Sequence, residues 1–276
     1  MLLITVATDR NQYLDEWEAR ANHLGYEYRI LGMGEKWEGF KTYQRVLLDF
    51  LSAPERDLDE LVANVDAYDL LMVMPPARLT EAYQEYAGGR ILVGGEDVCV
   101  MNCHRHGQLV NSERYRWINT GLVMGTGRFL REYYSWCMAH YPDDDQVAAG
   151  MYLDAHPDAM MIDGRQRIIS NIRSASELEW LTNEKVFKHT VTGEIPCIVH
   201  TPFIAADLGR RNEFVRRNLL TGYQPRSVME YAVQFGRHVS KQACTNPCYT
   251  PSVITGMVLL AVLLILLVIF IVVLTR

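Results

Sequence analysis

The sequence predicts an α/β sheet with right-handed crossovers, and three stretches carry that prediction. Leu2-Leu3-Ile4-Thr5-Val6-Ala7 is a β-branched run that reads as a first strand. Asp15 to Leu24 then sets apolar residues (Leu14, Trp17, Ala21, Leu24) at helical spacing before Gly25, a candidate C-cap, and Tyr26 to Leu31 returns as a second strand. The third stretch is Val65-Asp66-Ala67-Tyr68-Asp69. It lies where the short strand Leu61 to Val65 gives way to a turn before the apolar run Leu70 to Met74, an edge at which α/β sheets place ligands.

The remaining elements follow in order. Gly32-Met33-Gly34-Glu35-Lys36-Trp37-Glu38-Gly39 is a glycine-rich loop without the Gly-Lys-Ser/Thr ending of a phosphate loop or the spacing of a dinucleotide loop. It reads either as a flexible connection or as a mount for Trp37, whose indole offers a stacking face to a ring-shaped ligand. Tyr43 to Leu51 reads as a helix ended by Pro54. Leu79 to Tyr86 reads as a helix and Arg90 to Val93 as a strand, with Gly94-Gly95-Glu96-Asp97 as a turn after it. Cys99 fits a small core residue, and Cys103, His104 and His106 crowd together without a second ligand pair at metal-binding spacing. Trp117 to Gly125 alternates polar and apolar groups ahead of an amphipathic segment, Arg128 to Met138. Asp143-Asp144-Asp145-Gln146 precedes the apolar run Val147 to Leu153, as a capped helix start or as a carboxylate cluster facing a sugar or a metal. Met160 to Asp163 and Arg167 to Ile169 read as short strands, and Ile195 to His200 as a strand ending in histidine.

Asp66 and Asp69 carry the chemistry. Two carboxylates this close repel one another unless a cation lies between them, and a hard divalent ion with positions open to phosphate oxygens meets that need. Acidic pairs at this spacing also occur on solvated turns. His200 is the candidate third ligand, although a histidine at a strand end is also a common structural residue.

Composition sets the limits. The chain has 276 residues and 49% hydrophobic content, enough for one large domain or two small ones. Its net charge of −6 argues against general nucleic-acid binding, which needs a basic surface. Its cysteines are scattered and do not form a disulfide framework, and no Asn-X-Ser/Thr acceptor occurs. Val253 to Leu274 is almost wholly apolar and uncharged, the length needed to cross a bilayer. The sequence therefore predicts a single-pass C-terminal anchor, the membrane as a partner, and a folded domain on the cytosolic side. Residues 1–224 form that domain, 225–252 a juxtamembrane linker and 253–274 the transmembrane helix.

In this order the segments resemble the glycosyltransferase domain of the procollagen lysyl hydroxylase/glucosyltransferase family. The carriers are Ile4 to Thr8, Leu31 to Trp37, Asp66-Ala67-Tyr68-Asp69, Glu96 with Cys99, Asn119-Thr120-Gly121, Asp143 to Gln146, Tyr152-Leu153-Asp154 and Ile198-Val199-His200. The resemblance implies a GT-A-like, Rossmann-like nucleotide-sugar-binding domain that uses a UDP-sugar with Mn²⁺. By it, Asp66, Asp69 and His200 hold the metal, and Trp37, Tyr68 and Arg45 contact the nucleotide. Glu96, Asn119, Asp144 and Asp145 line the sugar and acceptor side. The implied reaction moves a hexose to a hydroxyl on a protein or glycan acceptor, hydroxylysine-linked or other. The chain departs from the family at Val100, where the family has an aromatic, at the shortened run Thr42-Tyr43-Gln44-Arg45, and at Thr201-Pro202-Phe203, which replaces a Gly-Asn-Gly turn. Two other readings share these residues: a catalytically lapsed domain kept as an interaction or structural protein, and a nucleotide-sugar hydrolase.

Overall fold

The structure is a computed structural model that describes residues 1–99, 114–202 and 210–223. Strands β1 (Leu2–Val6), β2 (Glu27–Leu31) and β3 (Leu61–Val65) run parallel, joined by helices α1 (Gln12–Leu24) and α2 (Phe40–Ser52). Asn11 starts α1 by accepting hydrogen bonds from the amides of Tyr13 and Leu14, and Gly25 ends it in the left-handed region at φ 78°. The chain continues through β4 (Leu70–Met72), α3 (Pro76–Ala87), β5 (Ile91–Glu96), β6 (Trp117–Thr126), α4 (Gly127–His140) and α5 (Asp145–Ala155). It then forms β7 (Met160–Asp163), β8 (Ile169–Asn171), β9 (Leu178–Leu181), β10 (Val186–His189), β11 (Ile198–His200) and α6 (Arg210–Leu219).

Six strands make the main sheet in the order β2-β1-β3-β6-β5-β7, with β6 antiparallel to both of its neighbours. Side chains on both faces of the sheet are buried. Leu2, Ile4 and Val6 pack with Leu47 of α2 and Leu130 of α4, whereas Leu3 packs with Trp17 of α1 and Leu79 of α3. That two-sided burial is why the central strands are apolar throughout rather than alternating. In particular, β6 is buried from Ile118 to Gly125, so the polar and apolar residues expected to face opposite sides are alike enclosed. A second sheet, β4-β11-β8, carries a third apolar cluster with Phe187, Val215 and Leu219.

Several expectations are corrected. The turn at Gly94 to Asp97 is strand: β5 runs on through Glu96, with a register shift between Val93 and Gly94. Its two glycines serve close packing, since a Cβ at Gly95 would lie 2.4 Å from the Tyr115 carbonyl and one at Gly94 2.6 Å from Asn171 Nδ2. Cys99, expected as a small core residue, is disulfide-bonded, whereas Cys137 and Cys197 are free and buried. The β9–β10 hairpin and α6 were not expected from the pattern. The hairpin signal was present in Thr182-Asn183-Glu184-Lys185, where Lys185 takes φ 56°.

The membrane anchor is also corrected. Among the described residues no helix is long and apolar enough to cross a membrane. The longest, α4, has 14 residues, or about 21 Å, against about 30 Å of bilayer hydrocarbon, and it is amphipathic, burying Leu130, Tyr133, Tyr134 and Cys137. The runs 225–252 and 253–274 lie outside the described residues, as do Val100 and Phe203. The transmembrane helix, the membrane as partner and the anchored localisation are therefore withdrawn.

The link from β7 to β8 turns on Asp163, which is fully buried. Its carboxylate accepts from the amides of Arg167 (3.0 Å), Ile168 (2.7 Å) and Ile169 (2.9 Å). Replacing it by alanine strands two buried donors and one half-buried one, so Asp163→Ala is expected to lower stability by about 3 kcal/mol in urea unfolding. A loss under about 1 kcal/mol would show that this link is not held by the carboxylate.

Candidate metal centre

Three strands bring the acidic pair and the histidine together. Asp66 follows β3 directly, and its amide donates to the Gly121 carbonyl of β6 at 3.0 Å. Asp69 immediately precedes β4, and its carbonyl accepts from both the amide (2.8 Å) and the hydroxyl (2.9 Å) of Thr201. His200 ends β11, opposite Leu70 on β4 and Asn171 on β8. Its Nε2 stands 3.5 Å from Asp66 Oδ2 and 3.4 Å from Asp69 Oδ1, and one ligand atom from each of the three residues lies within 4.8 Å of the others. The histidine side chain is 3% exposed, while those of Asp66 and Asp69 are 41% and 24% exposed, so the cluster is rooted in the core and opens to solvent on its acidic side.

A hydrogen-bond chain sets the histidine tautomer. Asn171 Nδ2 donates to the Gly95 carbonyl at 2.9 Å, which turns its Oδ1 toward His200 Nδ1 at 2.7 Å. An amide oxygen can only accept, so Nδ1 carries the proton and the neutral ring directs the lone pair of Nε2 at the two carboxylates. Nε2 is buried without a hydrogen-bond partner. A ring nitrogen and two carboxylates converging this closely match a divalent cation, which takes the place of a proton on Nε2. The residues therefore fit such an ion, and this donor set does not by itself select Mn²⁺. Gly121 completes the arrangement, because a Cβ there would lie 2.3 Å from the imidazole Cε1.

The electrostatics agree. Burial, and then the charge of Asp69, raise the Asp66 carboxyl against the opposing pull of His200. Burial disfavours the charged imidazole, but Asp69, Asp66 and Glu96 together outweigh it and raise His200. Metal-free, the site thus holds on to protons that an ion must displace.

Beside this cluster lies a second acidic group. Glu96, 5% exposed, accepts from the side-chain amides of Asn119 and Gln146, each at 3.3 Å. Burial pushes its carboxyl up to about 7 in spite of those bonds. Asn119 also accepts from the Gly121 amide at 2.9 Å, so one side chain touches both Glu96 and the backbone beside the imidazole. Asp145 accepts from the Thr120 hydroxyl at 2.8 Å, and burial, then the charge of Asp144, pushes it up to about 8. Asp144 caps α5, accepting from the Val147 amide at 2.9 Å.

The expected nucleotide contacts are more dispersed. Tyr68 lies between Asp66 and Asp69 in the chain, and its hydroxyl donates to the Asp9 carbonyl at 2.9 Å. Trp37 packs edge-on to Phe40 with ring centroids 6.1 Å apart. Arg45, on the exposed side of α2, is paired with Glu35 and Asp49. Sequence reasoning missed Asn171 and Gln166; the latter donates to the Gly95 carbonyl at 2.7 Å and accepts from the Asn171 amide at 2.7 Å. Neither belongs to a pattern that spacing could reveal.

Comparison with known proteins identifies the family. The family profile described as the PLOD GT domain matches residues 1–211. The chain is 27% identical over 191 residues to the multifunctional procollagen lysine hydroxylase and glycosyltransferase of Caenorhabditis elegans, covering 64% of this chain and 26% of that protein. It is 23% identical over 219 residues to the human LH3 protein of the same name, covering 72% of this chain and 29% of that one. It thus spans little more than a quarter of the length of these curated relatives. Among solved structures, a glycosyltransferase involved in glycosylation of the major capsid of PBCV-1 is similar with a TM-score of 0.47 and 11% identity, covering 80% of this chain and 98% of that one. The galactosyltransferase LgtC, solved with donor and acceptor sugar analogs, has a TM-score of 0.47 and 12% identity, covering 84% and 100%.

Two outcomes follow from the geometry. Asn171→Leu removes the acceptor that fixes the imidazole while Gln166 still satisfies the Gly95 carbonyl, so divalent-ion affinity should fall about 10–100-fold with the fold retained. An unchanged Mn²⁺ affinity by calorimetry would reject the tautomer argument. Because Asp66 and His200 both titrate above their ordinary values, ion affinity should rise from about pH 6 to about pH 8 and then level. A flat profile would show that neither proton is displaced.

Proposed function

Because this chain belongs to the family of PLOD GT domains, we propose that it is a Mn²⁺-dependent glycosyltransferase that moves a hexose from a UDP-sugar to a hydroxyl acceptor on a protein or glycan. The observation that carries the reading is the undonated Nε2 of His200, aimed between Asp66 and Asp69 on a core-buried ring. In this reading those three residues hold the ion. Bound there, Mn²⁺ supplies Lewis-acid neutralisation of the charge that develops on the departing nucleoside diphosphate.

The chain's other residues take the remaining tasks. Tyr68 and Trp37 flank the base, and Arg45, exposed on α2, contacts the nucleotide. Asp145 is kept near neutrality by burial and tethered by Thr120, which suits a group that orients a sugar hydroxyl by donating or accepting as needed. Glu96, oriented by the amides of Asn119 and Gln146, lines the sugar and acceptor side with Asn119. Asp144 acts through its neighbour: by capping α5 it sets where Asp145 points.

The test is UDP binding by the whole chain with and without Mn²⁺. Binding is expected only with the metal, and Asp69→Ala is expected to abolish it while leaving the circular dichroism spectrum unchanged. Metal-independent binding, or unchanged binding by that variant, would reject the metal assignment. No UDP binding in either condition would favour a catalytically lapsed domain.

A further inference from the structure

Arg216 lies on α6, beyond residue 211 where the family match ends. Its side chain is 1% exposed. The guanidinium pairs with Glu16 of α1, sits 4.7 Å from the centroid of the Tyr13 ring, and donates through Nη2 to the Tyr68 carbonyl at 2.9 Å. That carbonyl belongs to the turn joining Asp66 to Asp69. One helical turn beyond Glu16, Arg20 reaches the other way. It donates to the Leu219 carbonyl at the end of α6 (3.3 Å) and to the carbonyls of Met72 (2.8 Å) and Val73 (3.0 Å) in and after β4. Two arginines thus tie α6 and α1 to the acidic turn at Tyr68 and to the strand that follows it at Met72 and Val73.

We propose that Arg216 is a positioning residue for the metal centre, holding the Asp66–Asp69 turn in ligating shape from a position beyond the family match. The argument is electrostatic and geometric. Two adjacent carboxylates push apart whenever no cation lies between them, and a four-residue turn yields easily to that push. A buried guanidinium anchored by Glu16 pins the carbonyl of the peptide that leads into Asp69, and its pairing with Glu16 leaves little net charge to compete with the ion. Thr201 pins the Asp69 carbonyl from the other side, so the turn is gripped at two successive peptides. Removing Arg216 alone leaves the carboxylate of Glu16 without this partner and lowers stability. The clamp is therefore read from ion affinity and the local exchange of the turn, not from the melting temperature.

This inference rests on the metal-dependent reading above, and the test keeps the two apart. Mn²⁺ binding by the full chain is followed by the loss of the free-ion electron paramagnetic resonance signal, well below the unfolding temperature. Arg216→Met should bind Mn²⁺ about 10-fold more weakly than the parent, and Glu16→Gln, which loosens the anchor without emptying the site, should weaken it less. In metal-free protein, Arg216→Met should also speed amide hydrogen exchange across residues 66–69. An Arg216→Met chain with a lower melting temperature but parental Mn²⁺ affinity and exchange would overturn the clamp. If Arg216→Met does not fold, parental affinity and exchange in Glu16→Gln would overturn it equally. Should the parent bind no Mn²⁺, the proposed function falls, while the exchange rates still decide whether Arg216 holds the turn.

Discussion

The hydrogen bond between Asn171 and His200 is the constraint on which the rest of the site depends. An imidazole at a strand end has two equivalent ways to spend its single proton. Only one leaves a lone pair facing Asp66 and Asp69. Asn171 removes the choice because its own amide is committed to the Gly95 carbonyl, and Gln166 braces both partners. The chemistry of the cluster is thus decided two strands away from the carboxylates themselves, by neutral groups fully enclosed in the core.

The fold makes this possible by letting one sheet meet another at an angle of use. The main sheet ends its parallel strands at Asp66, and the antiparallel insertion of β6 brings Asn119, Thr120 and Gly121 to the same edge. The small sheet supplies His200 and Asn171 on neighbouring strands in register. At the meeting line, side chains are omitted where space runs out: Gly94 under the Asn171 amide and Gly121 against the imidazole. Around them burial keeps Glu96 and Asp145 near neutrality, so the edge holds several acids without the repulsion that full ionisation would bring.

Much of this was readable from the chain. The opening strands and helices announce themselves by periodicity and caps, and the acidic pair with His200 is a short, chemically meaningful pattern. The parts that escaped have physical reasons. Glu96 read as a turn residue because two glycines precede it, yet those glycines answer crowding inside a strand, a three-dimensional demand. Of the two readings of Asp143 to Asp145, the capped helix start is seen at Asp144, while Asp145 accepts from the Thr120 hydroxyl. The segment carrying α6 showed no clear apolar stripe because Arg210, Arg211, Asn212, Arg216 and Arg217 dominate it, although Phe214, Val215 and Leu219 join the apolar cluster. A buried arginine reads as a solvated one until its partners are known. The apolar run at 253–274 invited a membrane reading that no described helix bears out.

The separation of the ligands along the chain has a consequence for how the protein is made. Asp66 and Asp69 are synthesised long before His200, and Arg216 arrives later still. During synthesis the early acids have neither the imidazole nor the clamp, so a cation cannot nucleate the domain and can only lock it once the late strands have docked. If the cluster holds an ion as proposed, metal supply acts through mass action on the folded state, after the late strands have docked.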